Sequence, residues 1–370
     1  MKYYQPGRMG VTDSIGLIFM FTFSVVFLTL PSQEIELAAG AAWLTVLTHS
    51  VAALVMVLVM LYVCSHVQGD LYSVCEALLG KWGARGVLVY FAVAFFGDFT
   101  LITRQFAEHT LLTSLPEAEF SFVVIAYVVT VALMTHIGLE GIARASYLLL
   151  PFAVIAVFVV LTALIPYYYV SSLAPYQGTG IGVAIANGMA LGGVNFGIMI
   201  LPLLAPSFQR VSAMVTSACF GMSISAILHA ITVTVCIMVF GVGAGQERVL
   251  PFFSMARAIY LNRYIQHMEA FFIVLWVLVG TITMAIDMYC GLYCLTRMGN
   301  LPSLRPFIPL AAVALLQLAM IPPDIHTVIE LFGKIGYYYN IGVYGLPPLL
   351  LAVLVIRRKG KVKRPWAPVK

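Results

Sequence analysis

The chain has 370 residues, of which 62% are hydrophobic and 9% charged, with a net charge of +5 and a mean hydropathy of +1.00. Soluble domains carry roughly 25% charged residues, so this composition excludes a water-covered globular shell. Its basic residues sit at juxtamembrane positions, which gives no support to nucleic-acid binding.

Apolar runs of about 20 residues recur along the chain, and a bilayer is the solvent they fit. In hydrocarbon every backbone amide must be satisfied internally, which leaves helices or closed barrels. Runs such as 123–134, 154–164 and 271–282 are continuous rather than alternating, so the spans are read as helices. The first run, 15–30, follows Lys2 and Arg8 and precedes Ala38-Ala39-Gly40-Ala41, features a cleavable signal peptide shares. It is read as a span because removing it spoils the charge parity below. In order, the expected spans are 14–30, 42–64, 86–114, 120–138, 145–166, 183–206, 211–240, 265–296, 306–321 and 337–357.

With the N-terminus inside, Lys and Arg divide about 15 inside to 4 outside, the inside set including seven in the basic tail 358–370 and its edge. The positive-inside rule then places both termini in the cytoplasm. Glu34, Glu36, Glu117, Glu119, Glu247, Asp324 and Glu330 fall in the outer loops on this reading. The tail reads as an anchor on anionic lipid or a docking site for a partner.

Span 1 carries Thr29-Leu30-Pro31-Ser32 near its end, followed by a short helical piece. Five spans later, span 6 is interrupted by Gly192, Gly193 and Gly197 around Asn195. Interrupted helices at matching positions of two halves point to an inverted-repeat transporter fold. The chain is therefore expected to be one transmembrane domain over 1–370, with repeats at 14–166 and 183–357. Gly241-Val242-Gly243-Ala244-Gly245 reads as an outer loop and not a nucleotide cradle, since no strand precedes it. Pro251 opens a short outer helix that would lie above the solute path.

Ionisable residues inside a membrane are costly and carry a default expectation of function. Asp98, Arg104 and Glu108 lie on span 3. Arg104 and Glu108 are four apart on one face, either a mutually neutralised pair or a gate. Asp98 divides between helix packing and a proton or cation site. Asp287 on span 8 shares a polar side with Thr281 and Thr283, and is either functional or exposed to a water-filled vestibule. His49 and His229 read as hydrogen-bonded core residues more readily than as proton relays. Cys290 and Cys294, one turn apart, read as packing; no His, Cys or carboxylate cluster at metal or nucleophile spacing points to an enzyme or a cofactor.

The solute site is expected at the breaks. The N-terminal end of a half-helix attracts a carboxylate, and unpaired carbonyls accept an ammonium group, so an amino acid suits both. Ser24, Val25, Phe27, Thr29, Gly192, Gly193, Asn195 and Gly197 are the candidate lining, with Asp98 facing them; Asp98, Arg104, Glu108, Thr283 and Asp287 are candidates for coupling or gating. Gly192-Gly193 would serve close helix packing equally well.

Several motifs resemble the B-subunit family of spore germinant receptors, within the amino acid–polyamine–organocation transporter superfamily. They are Leu79-Gly80-Lys81-Trp82-Gly83, Arg104 with Glu108 ahead of Leu115-Pro116, Gly138-Leu139-Glu140-Gly141-Ile142-Ala143-Arg144, Leu173-Ala174-Pro175 with Gly178, and the stretch 264–276 with Glu269. Their order covers nearly the whole chain. The resemblance implies an all-α, LeuT-like membrane fold of about ten helices in a 5+5 inverted repeat with helices 1 and 6 broken. It also implies nutrient recognition with A- and C-type subunits in the spore inner membrane, with a cation-coupled amino-acid transporter as the alternative. The sequence departs from the family at Ser24-Val25-Val26-Phe27, where small glycine-rich residues are usual, at Gly40-Ala41-Ala42 before Trp43, and at Gln266-His267. Branched Val25 and Val26 are expected to resist unwinding, since glycine takes unusual backbone angles at lower steric cost.

Overall fold

The computed structural model describes residues 4, 6–67, 69–191, 199–208, 210–260 and 269–358, and among these every regular element is helical. In chain order they are α1 (Val11–Phe23), α2 (Leu30–Ala38), α3 (Ala42–His66), α4 (Leu71–Thr113), α5 (Phe120–Ile137), α6 (Leu139–Ala163) and α7 (Ile181–Leu191). The second part holds α8 (Ile200–Leu203), α9 (Val211–Gln246), α10 (Pro251–Ala258), α11 (Glu269–Met298), α12 (Ile308–Met320) and α13 (Ile325–Arg358). Seven helical runs among the described residues are long and apolar enough to cross a bilayer, α2 and α3 counting as one run. Three shorter apolar runs, 11–27, 181–191 and 305–320, occupy the other expected positions.

The first span is broken. α1 ends at Phe23, residues Ser24–Phe27 wind as a 3-10 turn, and Leu28 is extended (φ −102°, ψ −153°) before α2 restarts at Leu30. The Ser24 hydroxyl donates to the Phe21 carbonyl at 3.0 Å, a local bond that competes with the helical ladder. Pro31 falls in the first turn of α2, where its missing N–H costs nothing. The valines do resist a glycine-like opening, for no residue from Ser24 to Thr29 takes a positive φ. The chain instead tightens and then extends by one residue.

Two glycines bend longer helices. Gly80 in α4 (φ 82°) and Gly241 in α9 (φ 78°) leave the helical region without ending the element, a conformation open to glycine alone at little cost. The stretch 241–245 is therefore not a loop: Gly241 is a corner, and helix continues to Gln246. Likewise α4 begins at Leu71, fifteen residues before the span expected at 86, because a short helix precedes the Gly80 corner.

α1 sits at the centre, packed against α6, α9 and α11. Leu17, Ile18, Phe19, Met20 and Phe23 are all fully buried, as befits a helix that is apolar all round. Glu34, expected in an outer loop, lies instead within α2 and is completely buried. The end of α2 is tied down by the segment before α7 and by α7 itself. Leu37 O accepts from Thr179 Oγ1 and from Asn187 Nδ2, each at 3.0 Å. That contact explains Gly178, which has φ +54°; a Cβ there would stand 1.9 Å from the Ala38 carbonyl oxygen. At the far end, Asp324 caps α13 by accepting from the Thr327 amide at 2.8 Å, which holds its carboxyl below the usual carboxylate range.

Candidate functional site

The break in the first span lies inside the core. Ser24 and Phe27 are buried to 1% exposure or less, and Val25 and Thr29 to 7%. Phe27 meets Phe23 (5.2 Å between ring centroids), Phe252 of α10 (5.3 Å) and Phe272 of α11 (5.2 Å), each edge to face. Phe252 and Phe272 are themselves 4.7 Å apart. α10, the short helix opened by Pro251, thus packs against the break through Phe252. Beyond it Trp276, 1% exposed, stacks on Phe106 at 5.0 Å and lies parallel to Phe272 at 6.5 Å. Gly192, Gly193, Asn195 and Gly197, the expected second half of the site, lie outside the described residues.

A second centre lies between α4 and α11. Asp98 (2% exposed) and Asp287 (0%) are both buried. They lie within electrostatic reach of one another and of the Tyr339 hydroxyl on α13. Asp98 Oδ1 and both Asp287 carboxyl oxygens make no hydrogen bond among the described residues. One turn before Asp287, Thr283 donates to Val279 O at 3.1 Å and to Met20 O of α1 at 3.4 Å. A cavity of about 370 Å³, lined by Val93, Gly97, Ile335, Tyr339 and other apolar and aromatic residues, lies between α4 and α13.

Arg104 does not serve Asp98. It pairs with Glu108 at 2.7 Å, donates to Pro323 O at 3.2 Å, and stacks its guanidinium 3.8 Å over the Phe120 ring. The geometry matches a structural clamp joining α4, α5 and the α12–α13 turn.

Two polar clusters escaped the sequence reading. Arg297, one of the basic residues counted on the inner side, is 6% exposed. It binds Asp70 through Nε at 2.5 Å and Nη2 at 3.2 Å, and Ser73 Oγ at 3.0 Å. Asp70 also accepts from Tyr293 at 3.2 Å and caps α4 through the Ser73 amide at 3.0 Å. This bidentate pair ties the start of α4 to the end of α11. The second cluster joins Glu34 of α2 to His49 of α3 (3.0 Å) and His229 of α9 (2.8 Å), all three at 3% exposure or less. It is the group of metal-capable side chains found among the described residues. Cys290 and Cys294 are buried free thiols and take no part in it.

The fold is shared with solved transporters of low sequence identity. The chain superposes on Mhp1, a nucleobase-cation-symport-1 family transporter in a closed conformation with bromovinylhydantoin bound, with TM-score 0.71 and 13% identity over 97% of this chain and 82% of that one. It superposes on MhsT in complex with L-phenylalanine with TM-score 0.66 and 13% identity over 95% and 99%. For a Na+-coupled sialic acid symporter, in a substrate-bound outward-open state, the values are 0.68 and 11% over 92% and 79%. At these identities the likeness establishes the LeuT-type fold. Among curated proteins none matches the chain. A family model described as spore germination protein matches residues 10–327. With ten apolar helical positions, a first span broken at Ser24–Leu28 and this match over most of its length, the chain belongs to the spore germination protein family of membrane proteins.

Proposed function

We propose that the chain is the membrane subunit of a spore germinant receptor that recognises a small nutrient, an amino acid, at mid-membrane between broken spans 1 and 6. The observation that carries this reading is the interruption of the first span at Ser24–Leu28, buried in the core and covered by Phe252. A helix restarting at Leu30 offers its N-terminal end to a carboxylate, while the end of α1 offers carbonyls to an ammonium group. MhsT, solved with L-phenylalanine, supports amino acids as the ligand class. On this reading both termini face the cytoplasm, the membrane is the spore inner membrane, and A- and C-type subunits receive the signal.

Binding to the native state must stabilise it, by about 2.7 kcal/mol at 100 times Kd. A thermal-melt screen of the purified protein against individual amino acids is therefore expected to give a rise in Tm for one or a few of them. A flat response to every amino acid at millimolar concentration would remove the site.

The second reading, a proton- or cation-coupled amino-acid transporter, is favoured by Asp98 and Asp287. Two buried carboxyls with unpartnered oxygens cannot both stay charged in apolar surroundings, so a proton or a cation there balances them. Gradient-driven amino-acid accumulation in liposomes containing this chain alone would establish transport; binding without accumulation would leave recognition only.

A further inference from the structure

We propose that Glu34, His49 and His229 form a binding site for a first-row divalent metal ion, with Zn²⁺ the best match, which fastens α2 to α3 and α9. Two imidazoles and one carboxylate are a donor set suited to such ions. The three donor atoms lie within 4.8 Å of one another and come from three separate elements. Tetrahedral bonds of about 2.0–2.1 Å would set the ligand atoms roughly 3.3–3.4 Å apart, so the observed 2.8 and 3.0 Å donor separations need only widen by a few tenths of an ångström.

One of the two carboxylate–imidazole contacts is out of line for a shared proton. His49 Nε2 and Glu34 Oε1 meet in hydrogen-bond geometry at 3.0 Å, whereas Glu34 Oε2 and His229 Nε2, 2.8 Å apart, do not. A shared proton needs the two lone pairs to point along the line between the atoms. A metal needs them to converge at a point off that line. Beside the trio lies a cavity of about 10 Å³ lined by Thr22, His49, Ser50, Met222, Ser225 and His229. That volume suits about one water, which would complete a four-coordinate site with three protein ligands. Thr22, Ser50 and Ser225 put three hydroxyl-bearing residues on the wall of that cavity.

The location gives the ion a role. α2 is the half-helix that follows the break, and it packs against α9 and α3. An ion bridging Glu34 to His49 and His229 fixes that half-helix to two full spans, so occupancy would set how readily the break opens. This goes beyond nutrient recognition and does not depend on which solute is recognised.

The test uses the full-length protein in detergent, stripped with chelator, then titrated with Zn²⁺ alone. Expected are about one tightly bound Zn²⁺ per chain by elemental analysis, a rise in Tm on metal addition, and an X-ray absorption spectrum of nitrogen and oxygen ligands near 2.0 Å. Glu34→Gln, His49→Gln and His229→Gln should each weaken binding by about 100-fold or more. Should these variants fail to fold, Co²⁺ added to the wild type decides the matter through its ligand-field absorption bands, which a four-coordinate site makes intense. A folded wild type that retains no metal, and whose Tm ignores Zn²⁺ and Co²⁺, would assign the trio to a hydrogen-bonded network and overturn the proposal. So would undiminished binding in a folded His49→Gln/His229→Gln double variant. Neither result touches the amino-acid screen, so the two readings fail separately.

Discussion

At the residue scale, the strongest constraints are places where one side chain, or the lack of one, decides a contact. Gly178 combines a φ of +54° with no room for a Cβ against Ala38 O, so Gly178→Ala must either shift the segment before α7 or detach it from the end of α2. A strained backbone of this kind costs of order 1–3 kcal/mol, and a thermal melt should show the variant clearly less stable; an unchanged Tm would mean that the segment does not seat on α2. Arg297→Ala should be worse, about 3–5 kcal/mol, because it leaves the Asp70 carboxylate buried with only hydroxyl and amide donors. The more informative variant is Arg297→Ala with Asp70→Asn. It removes both charges and should recover part of the loss; no recovery in the double-variant melt would show that the pair's role is packing. The partners stand 227 residues apart, and no local pattern could have matched them. Glu34 was misplaced for a related reason. Read from hydropathy, a carboxylate just past the first apolar run belongs in a loop, and only the fold reveals two histidines waiting for it.

At the scale of elements, the interruption of span 1 was readable from Thr29-Leu30-Pro31-Ser32, since a proline suits the start of a helix and not its middle. Its form was not. Without glycine the backbone tightens into a 3-10 turn, and the bulk of Val25, Val26 and Phe27 stays in the core. α10 follows from Pro251 in the same way, yet its role comes from Phe252, whose ring meets Phe27 and Phe272. Phe252→Ala should therefore act twice. It should cost about 3–5 kcal/mol of stability, and it should speed release of bound amino acid, measured as a faster off-rate. A stable variant with an unaltered off-rate would free α10 from any covering role. The corner at Gly241 shows the limit of composition: a glycine-rich pentapeptide looks like a loop, while four of its five residues are helical and only the first leaves the helical region.

For the whole molecule, the ten-span plan was legible because the bilayer imposes length and apolarity on every crossing. The centre between α4 and α11 was half legible: Asp98 and Asp287 each stood out as intramembrane acids, but their proximity is a property of packing. If they carry the coupling proton or cation, Asp98→Asn and Asp287→Asn should each lower gradient-driven uptake at least tenfold while preserving amino-acid binding. Uptake with wild-type pH dependence in either variant would exclude that residue from coupling. Arg104 and Glu108 are expected to behave differently, with stability and not uptake as the affected quantity.

Trp276 is wrapped by Phe106 and Phe272, and Phe272 in turn touches the ring of Phe27. Trp43 and Trp82, by contrast, are 40% and 80% exposed. The indole is thus wired into the ring cluster above the interrupted helix, and the molecule carries its own fluorophore for events there. With Trp43, Trp82 and Trp366 replaced by Phe, the remaining emission should report on this one. A change in its wavelength or lifetime when a nutrient binds, lost in Trp276→Phe, would let the opening be followed in real time without attaching a dye.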